Sequence, residues 1–344
     1  MVYSWHGDVM CKGAGIRSPA VANTERWRIM EHVQLNEVPA LEKALLIGAF
    51  AGWNDAASAA TWAVKFLINN WEASLFGEIE PEEFYDFTES RPQTRIAEGA
   101  TRRLSWPANR FYVHRAKRGE AGGDRRDVVL FLGEEPQLRW KTYAREVLDV
   151  CKQCHVEEVM LLGSLVAEVA HTAPVQVMGT SGEPDMLTQL DTLHVERASY
   201  EGTTGILSVL QDMARKEGLA TASLWGTAPH YVSATPNLPV SEALLERLDG
   251  VYGFGLRLND LARAARRFTQ RVTSLVDDDP EVSAYVHDLE RREHDNPQAG
   301  TAFAGDASGV HRIPADGELP SPEQAIEDVE QWLRQFRTDG ETDT

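Results

Sequence analysis

The chain is short of cysteine, of positive charge and of long apolar runs. Three cysteines in 344 residues are an odd number and make no disulfide framework. Lysine and arginine total 34 against 53 aspartates and glutamates, a net charge of −19. Phosphate contacts need clustered cations, so a nucleic-acid surface is not expected. The apolar runs fall far short of the roughly 20 residues that a membrane-spanning helix needs. Residues 1–30 carry Trp5, His6, Asp8 and Lys12 and no apolar export core, so secretion is not expected and the cytoplasm is the expected location. The phosphate loop G-x-x-x-x-G-K-[ST], the zinc motif H-E-x-x-H and the nucleophile motif G-x-S-x-G are all missing. No cofactor and no metal are expected.

Hydrophobic residues make up 42% of the chain, enough for a sizeable core. The organising stretch is 44–64, ALLIGAFAGWNDAASAATWAV. Leu45–Ile47 has the continuous apolar character of a strand buried on both faces. Gly48 and Gly52 break it, and Asp55 opens a helix running to Trp71 with a small-residue face at Ala56, Ala59, Ala60 and Ala63. Further strands are expected at Phe84–Phe87, Arg110–Arg115, Asp127–Gly133, Glu157–Leu165, Pro174–Met178 and Thr221–Trp225. Residues 95–106 alternate only loosely. Helices are expected at Arg139–Cys154, Pro184–Leu190 and Thr204–Glu217. This alternation predicts an α/β fold, a mostly parallel sheet flanked by helices.

After Pro236 the pattern becomes helical. Leu258, Leu261, Ala265, Phe268, Val272 and Leu275 form a stripe, Asp279 and Pro280 open another helix, and the two together predict a hairpin. The expected organisation is a partly ordered leader over 1–40, an α/β core over 41–235, a helical extension over 236–294, a linker over 295–320 and an amphipathic helix over 321–338.

Several side chains fall at expected strand ends: Trp53, Asn54, Glu134, Arg139, Ser164, His171, Glu201 and His230. They define a candidate pocket, since open α/β sheets bind ligands where strands end. They do not define a reaction, so no catalytic residue is assigned. The run Cys151-Lys152-Gln153-Cys154-His155 matches the haem-attachment pattern, but it closes a helix before a buried strand and reads as a helix end.

Six blocks in order carry a resemblance: GAFAGWNDA (48–56), PEEFYDFTESRPQ (81–93), LGEEPQLRW (132–140), LLGSLVAEVAHTAPVQVMGT (161–180), YEGTTGILSVL (200–210) and ASLWGTAPHYV (222–232). Together they resemble the bacterial branch of the proteasome assembly chaperone family, named after the second eukaryotic chaperone. The resemblance spans about residues 44–255. It implies a phosphorylase/hydrolase-like α/β fold similar to purine nucleoside phosphorylases, with a helical C-terminal extension. It also implies homo-oligomers, trimers above all, and proteasome subunits as partners that require no active site. A label of ATP-grasp-like carboxylate–amine ligase, used for some members, finds no ATP motif here. Archaeal relatives end in a hydrophobic–tyrosine–any tripeptide, whereas this chain reads Glu341-Thr342-Asp343-Thr344, so that docking mode is not expected.

Two functions follow as expectations. The first is a non-catalytic assembly protein that self-associates through sheet-edge elements, with the Leu258–Leu275 helix as a further contact. The alternative is a small-molecule enzyme or ligand binder of nucleoside phosphorylase/hydrolase type, which requires the eight side chains to converge on one polar cavity.

Overall fold

Ala44–Ala51 (β2) runs through the middle of a nine-stranded sheet in the computed structural model, which describes residues 30–97, 101–116, 126–232 and 236–295. The description below concerns the unit that begins at His32. Much of the expected leader, the linker and the helix over 321–338 lie outside the described residues.

In chain order the strands are β1 (Val33–Leu35), β2, β3 (Ser74–Ile79), β4 (Gln93–Ala97), β5 (Thr101–Ser105), β6 (Asn109–His114), β7 (Val128–Glu134), β8 (Val156–Ala167), β9 (Val177–Ser181), β10 (Glu196–Arg197) and β11 (Ala220–Pro229). The helices are α1 (Ala59–Asn70), α2 (Trp140–Gln153), α3 (Pro184–Thr192), α4 (Ile206–Lys216), α5 (Leu238–Tyr252), α6 (Asn259–Asp277) and α7 (Pro280–Asp295). The main sheet has the order β1-β3-β6-β7-β2-β8-β11-β9-β10. Its centre, β7-β2-β8-β11, is parallel, and antiparallel strands extend it on both sides. The fold is therefore α/β, with a parallel core and mixed margins. Because β2 lies between β7 and β8, the α2 crossover skips one strand.

Side-chain parity decides which helices cover which face. Leu45, Ile47 and Ala49 of β2 face α1 and α5 in one core. On the opposite face Phe50 packs on Phe131 and Tyr143, with ring centroids 5.3 and 6.1 Å apart. The small-residue face of α1 is what lets it lie close: Ala59, Ala60 and Ala63 are fully buried. Asn237 caps α5 by accepting from the Val240 amide (3.3 Å), and Gly253 ends the helix at φ +65°. Asp279 caps α7 by accepting from the Glu281 and Val282 amides at 3.0 and 3.3 Å.

Three expectations change. Phe84–Phe87 is a loop rather than a strand: Phe84 and Tyr85 are buried as a plug, and the Tyr85 hydroxyl donates to the Glu134 carbonyl (2.6 Å). The loosely alternating region forms a separate two-stranded sheet, β4 with β5. The strand expected at Pro174–Met178 sits later, as β9, antiparallel to β11. Within the span expected as leader, Val33–Leu35 pairs with β3 at the sheet edge. The stripe of α6 is buried in the chain's own core, with Leu261, Ala265, Phe268 and Val272 nearly inaccessible. That part of the apolar face is therefore already covered within the chain, with Leu258 and Leu275 at its ends half-buried. No described helix is long and apolar enough to cross a membrane.

Candidate functional site

β2 ends at Gly52, whose φ of +127° is open to glycine alone among common residues. The turn it allows carries Trp53, Asn54 and Asp55 across the ends of the central strands, where Asn54 accepts from the Ser164 amide through its carbonyl (2.9 Å). Two carboxylates, one half-buried and one buried, then fix this turn.

The first is Glu135, one residue past β7. One of its oxygens accepts from the Asn54 side-chain amide (2.8 Å) and from the Ile206 amide at the start of α4 (2.9 Å); the other accepts from the Trp53 amide (3.2 Å). A carboxylate placed on the first turn of a helix meets its unpaired N–H groups and the positive end of its dipole. Gly205 makes the approach possible, since a Cβ there would stand 2.2 Å from the Asn54 side chain and 2.7 Å from Glu135.

The second carboxylate is Asp55, 3% exposed. It accepts from the amides of Ala60 (2.7 Å) and Thr61 (3.3 Å), from the Thr61 hydroxyl, and from the Ser164 hydroxyl (3.2 Å). Burial pushes its pKa up to about 6, against the pull of the Thr61, Ala60 and Ser164 hydrogen bonds.

Beside this turn lies a cleft of about 1080 Å³. Its floor comes from β9 and β11, where Thr180 faces Ser223 and Met178 faces Trp225 across the ladder. The Gln211 amide donates to Thr180 Oγ1 (3.0 Å), which stands 2.8 Å from Ser223 Oγ. Trp53, Tyr200, Glu201 and His194 contribute to the rim. Gly163 supports the Trp225 indole from below: a Cβ on Gly163 would lie 2.5 to 2.8 Å from three ring atoms. Gly163→Ala is therefore expected to displace the ring and lower stability by roughly 1–3 kcal/mol. A urea titration followed by tryptophan emission checks it; an unchanged midpoint and spectrum would contradict the packing described.

The eight residues anticipated from the sequence fall in several places. Trp53 and Glu201 share the cleft. Asn54 and Ser164 lie in the knot beside it, and Ser164 is a fully buried residue inside β8 that also donates to the Ala56 carbonyl (2.9 Å). The Glu134 amide donates to the buried Asn109 (3.0 Å). Arg139 pairs with Glu83 away from the turn. His171 bridges the Tyr231 hydroxyl (2.8 Å) and Thr273 of α6 (3.0 Å), and burial lowers its pKa despite Glu290 and Asp277. His230 meets Tyr285 of α7 at 3.3 Å. Both histidines thus fasten the helical extension to the sheet. Glu135 and Asp55, the acids that organise the turn, were outside the anticipated set. The sequence signal for Asp55 was its place at a helix start.

Cys151 and Cys154 are buried and free. Burial raises the Cys151 thiol pKa strongly and that of Cys154 to about 12, so both behave as packing residues. Among the described residues no group of three His, Cys, Asp or Glu side chains could hold a metal ion.

A parallel-centred sheet with helices on both faces, its strand-end acids tied up in helix starts and its C-terminal helices fastened by histidines, defines an α/β protein with a built-in helical extension. The chain belongs to the PAC2 family, whose model matches residues 49–276. It is similar to a PAC2 family protein from Streptomyces avermitilis, 37% identical, with 71% of this chain and 99% of that one covered and a TM-score of 0.62. It is equally similar to a proteasome-assembly chaperone homologue from Mycobacterium tuberculosis, 37% identical, covering 70% and 99%, TM-score 0.62. An archaeal proteasome activator from Pyrococcus furiosus shares the fold at 16% identity, covering 71% and 97%, TM-score 0.57. No curated protein matches the chain by sequence.

Proposed function

We propose that this protein is a non-catalytic assembly factor that acts in the cytoplasm as a homo-oligomer, a trimer in the favoured form, with proteasome subunits as its clients. The observation that carries this reading is the 37% identity to a proteasome-assembly chaperone homologue over 99% of that protein's length. The chemistry at the strand ends is compatible with it. Asp55 and Glu135 each hold a helix start through several hydrogen bonds, so neither is poised as a base, and Ser164 has no access to solvent.

The cleft supports a second reading, a small-molecule binder of nucleoside phosphorylase/hydrolase type. Its aromatic rim and polar floor at Thr180, Ser223 and Gln211 suit a ligand with one flat and one hydrogen-bonding face. Native mass spectrometry of the protein drawn gently from its own cells separates the two. The assembly reading expects a bare oligomer and complexes with proteasome subunits. A stoichiometric metabolite on an oligomer without such partners would overturn it in favour of the second reading.

A further inference from the structure

The floor of the cleft holds one more hydrogen-bond donor than it can use. Thr180 Oγ1 accepts from the Gln211 amide (3.0 Å) and stands 2.8 Å from Ser223 Oγ, which accepts from the Trp225 indole N–H (3.3 Å). Two hydroxyl hydrogens thus serve a single hydroxyl–hydroxyl bond, and whichever oxygen donates in it, the other hydrogen is left over. If Thr180 keeps it, the acceptor at hand is Gln211 Oε1 at 3.4 Å, on the same amide that already donates to Thr180. If Ser223 keeps it, no acceptor among the described residues takes it. Ser223 is 2% exposed, so the surplus donor sits at the bottom of the cleft, where an unpaired polar group is costly. Next to it Gln211 brings a carbonyl oxygen and a second N–H. Uncharged donors and an acceptor side by side match the edge of an amide.

The walls add a flat apolar surface, because Trp53, Trp225 and Met178 line the same cleft and indole faces favour planar rings. Charge sets the other limit. Arg197 is the only lysine or arginine among the described residues around the cleft, against Asp191, Glu196 and Glu201. Its guanidinium is engaged by Asp191 through two hydrogen bonds of 3.3 and 2.7 Å. The start of α4 is the other place where an anion would settle. There the Ile206 amide already donates to the Glu135 carboxylate (2.9 Å), whose charge repels a second anion.

We propose that the cleft binds an uncharged planar ring with an amide edge, such as a lactam base, its nucleoside or a pyridine carboxamide, and rejects phosphorylated forms. Thr180, Ser223 and Gln211 read the edge, and Trp53 and Trp225 cover the faces. The inference rests on the second reading above, that the cleft holds a small molecule, and sharpens it. Among the described residues the cleft suits recognition of a base and offers no phosphate site, so binding occurs without phosphorolysis.

Isothermal titration calorimetry of the full chain tests it. Hypoxanthine, inosine and nicotinamide are the amide-edged probes, purine riboside is the ring without the amide, and inosine monophosphate is the charged form. At least one amide-edged probe is expected to bind, with purine riboside and inosine monophosphate each about tenfold weaker or more. Which of the three binds tightest tells base from nucleoside from carboxamide. Thr180→Val keeps the side chain's shape and removes its hydroxyl. It is expected to weaken the best probe about tenfold while leaving purine riboside and the circular dichroism unchanged. Purine riboside or inosine monophosphate binding as tightly as the best probe overturns the proposal, as does an affinity that Thr180→Val leaves unaltered. If no amide-edged probe binds, the ligand class falls, and native mass spectrometry of protein from its own cells decides the rest. A bound metabolite of other chemistry leaves the small-molecule reading standing, and a bare protein overturns both.

Discussion

Replacing Glu135 with alanine is expected to lower stability by roughly 2–4 kcal/mol. The carboxylate accepts from the Ile206 amide, the Trp53 amide and the Asn54 side chain. Removing it strands three donors, each worth about 1–3 kcal/mol when left unpaired and buried; water entering from the cleft returns part of this. Glu135→Gln keeps an acceptor at the Ile206 amide but loses the charge that suits a helix start, and is expected to cost about half as much. Glu134→Ala leaves all three Glu135 hydrogen bonds in place, so a smaller loss is expected. Urea unfolding of the three variants checks the order. Equal midpoints for the two alanine variants would show that the knot at Glu135 is not what holds α4 in place.

The adjacent glutamates also show what a sequence can and cannot convey. The buried strands were plain from their apolar runs, as were α1 from its alanines and α7 from Asp279 and Pro280. The Glu134-Glu135 pair was visible as strand-end acid. Which of the two turns toward α4 was not, because that depends on Gly205, some seventy residues away, leaving room for the carboxylate. Loop histidines pose the same problem: His171 is anchored by Tyr231 and Thr273, and the Thr273 contact is made only once α6 has folded back. Phe84–Phe87 misled for another reason. Its aromatics have strand propensity, but here Phe84 and Tyr85 plug the core from a loop.

Asp55 gives the second large effect, on the pH dependence of stability. Its pKa is about 6 in the folded chain against 3.8 for the free side chain. Between those values the native state binds more protons than the unfolded one, so this group's contribution is fully present below pH 3.8 and is lost as pH rises through 6. The difference corresponds to about 3 kcal/mol. Asp55→Asn removes the titration, so the variant is expected to lack this decline between pH 4 and 7. Asp55→Ala is expected to be destabilised across the range, since the Ala60 and Thr61 amides and the hydroxyls of Thr61 and Ser164 all lose their acceptor. Denaturant titrations at several pH values check both. A wild type and an Asn variant with parallel pH profiles would contradict the account of a buried, protonatable Asp55.

These two carboxylates bear on the central claim, that the strand ends of this PAC2 family member serve architecture and that its work is done through protein contacts. The most direct measurement is to mix the purified full chain with unassembled proteasome subunits from the same cells and follow particle formation by native mass spectrometry over time. The account expects a complex between the chain and free subunits that appears early and disappears as particles mature, with assembly faster than in its absence. Assembly at an unchanged rate, with no complex at any time, would contradict it.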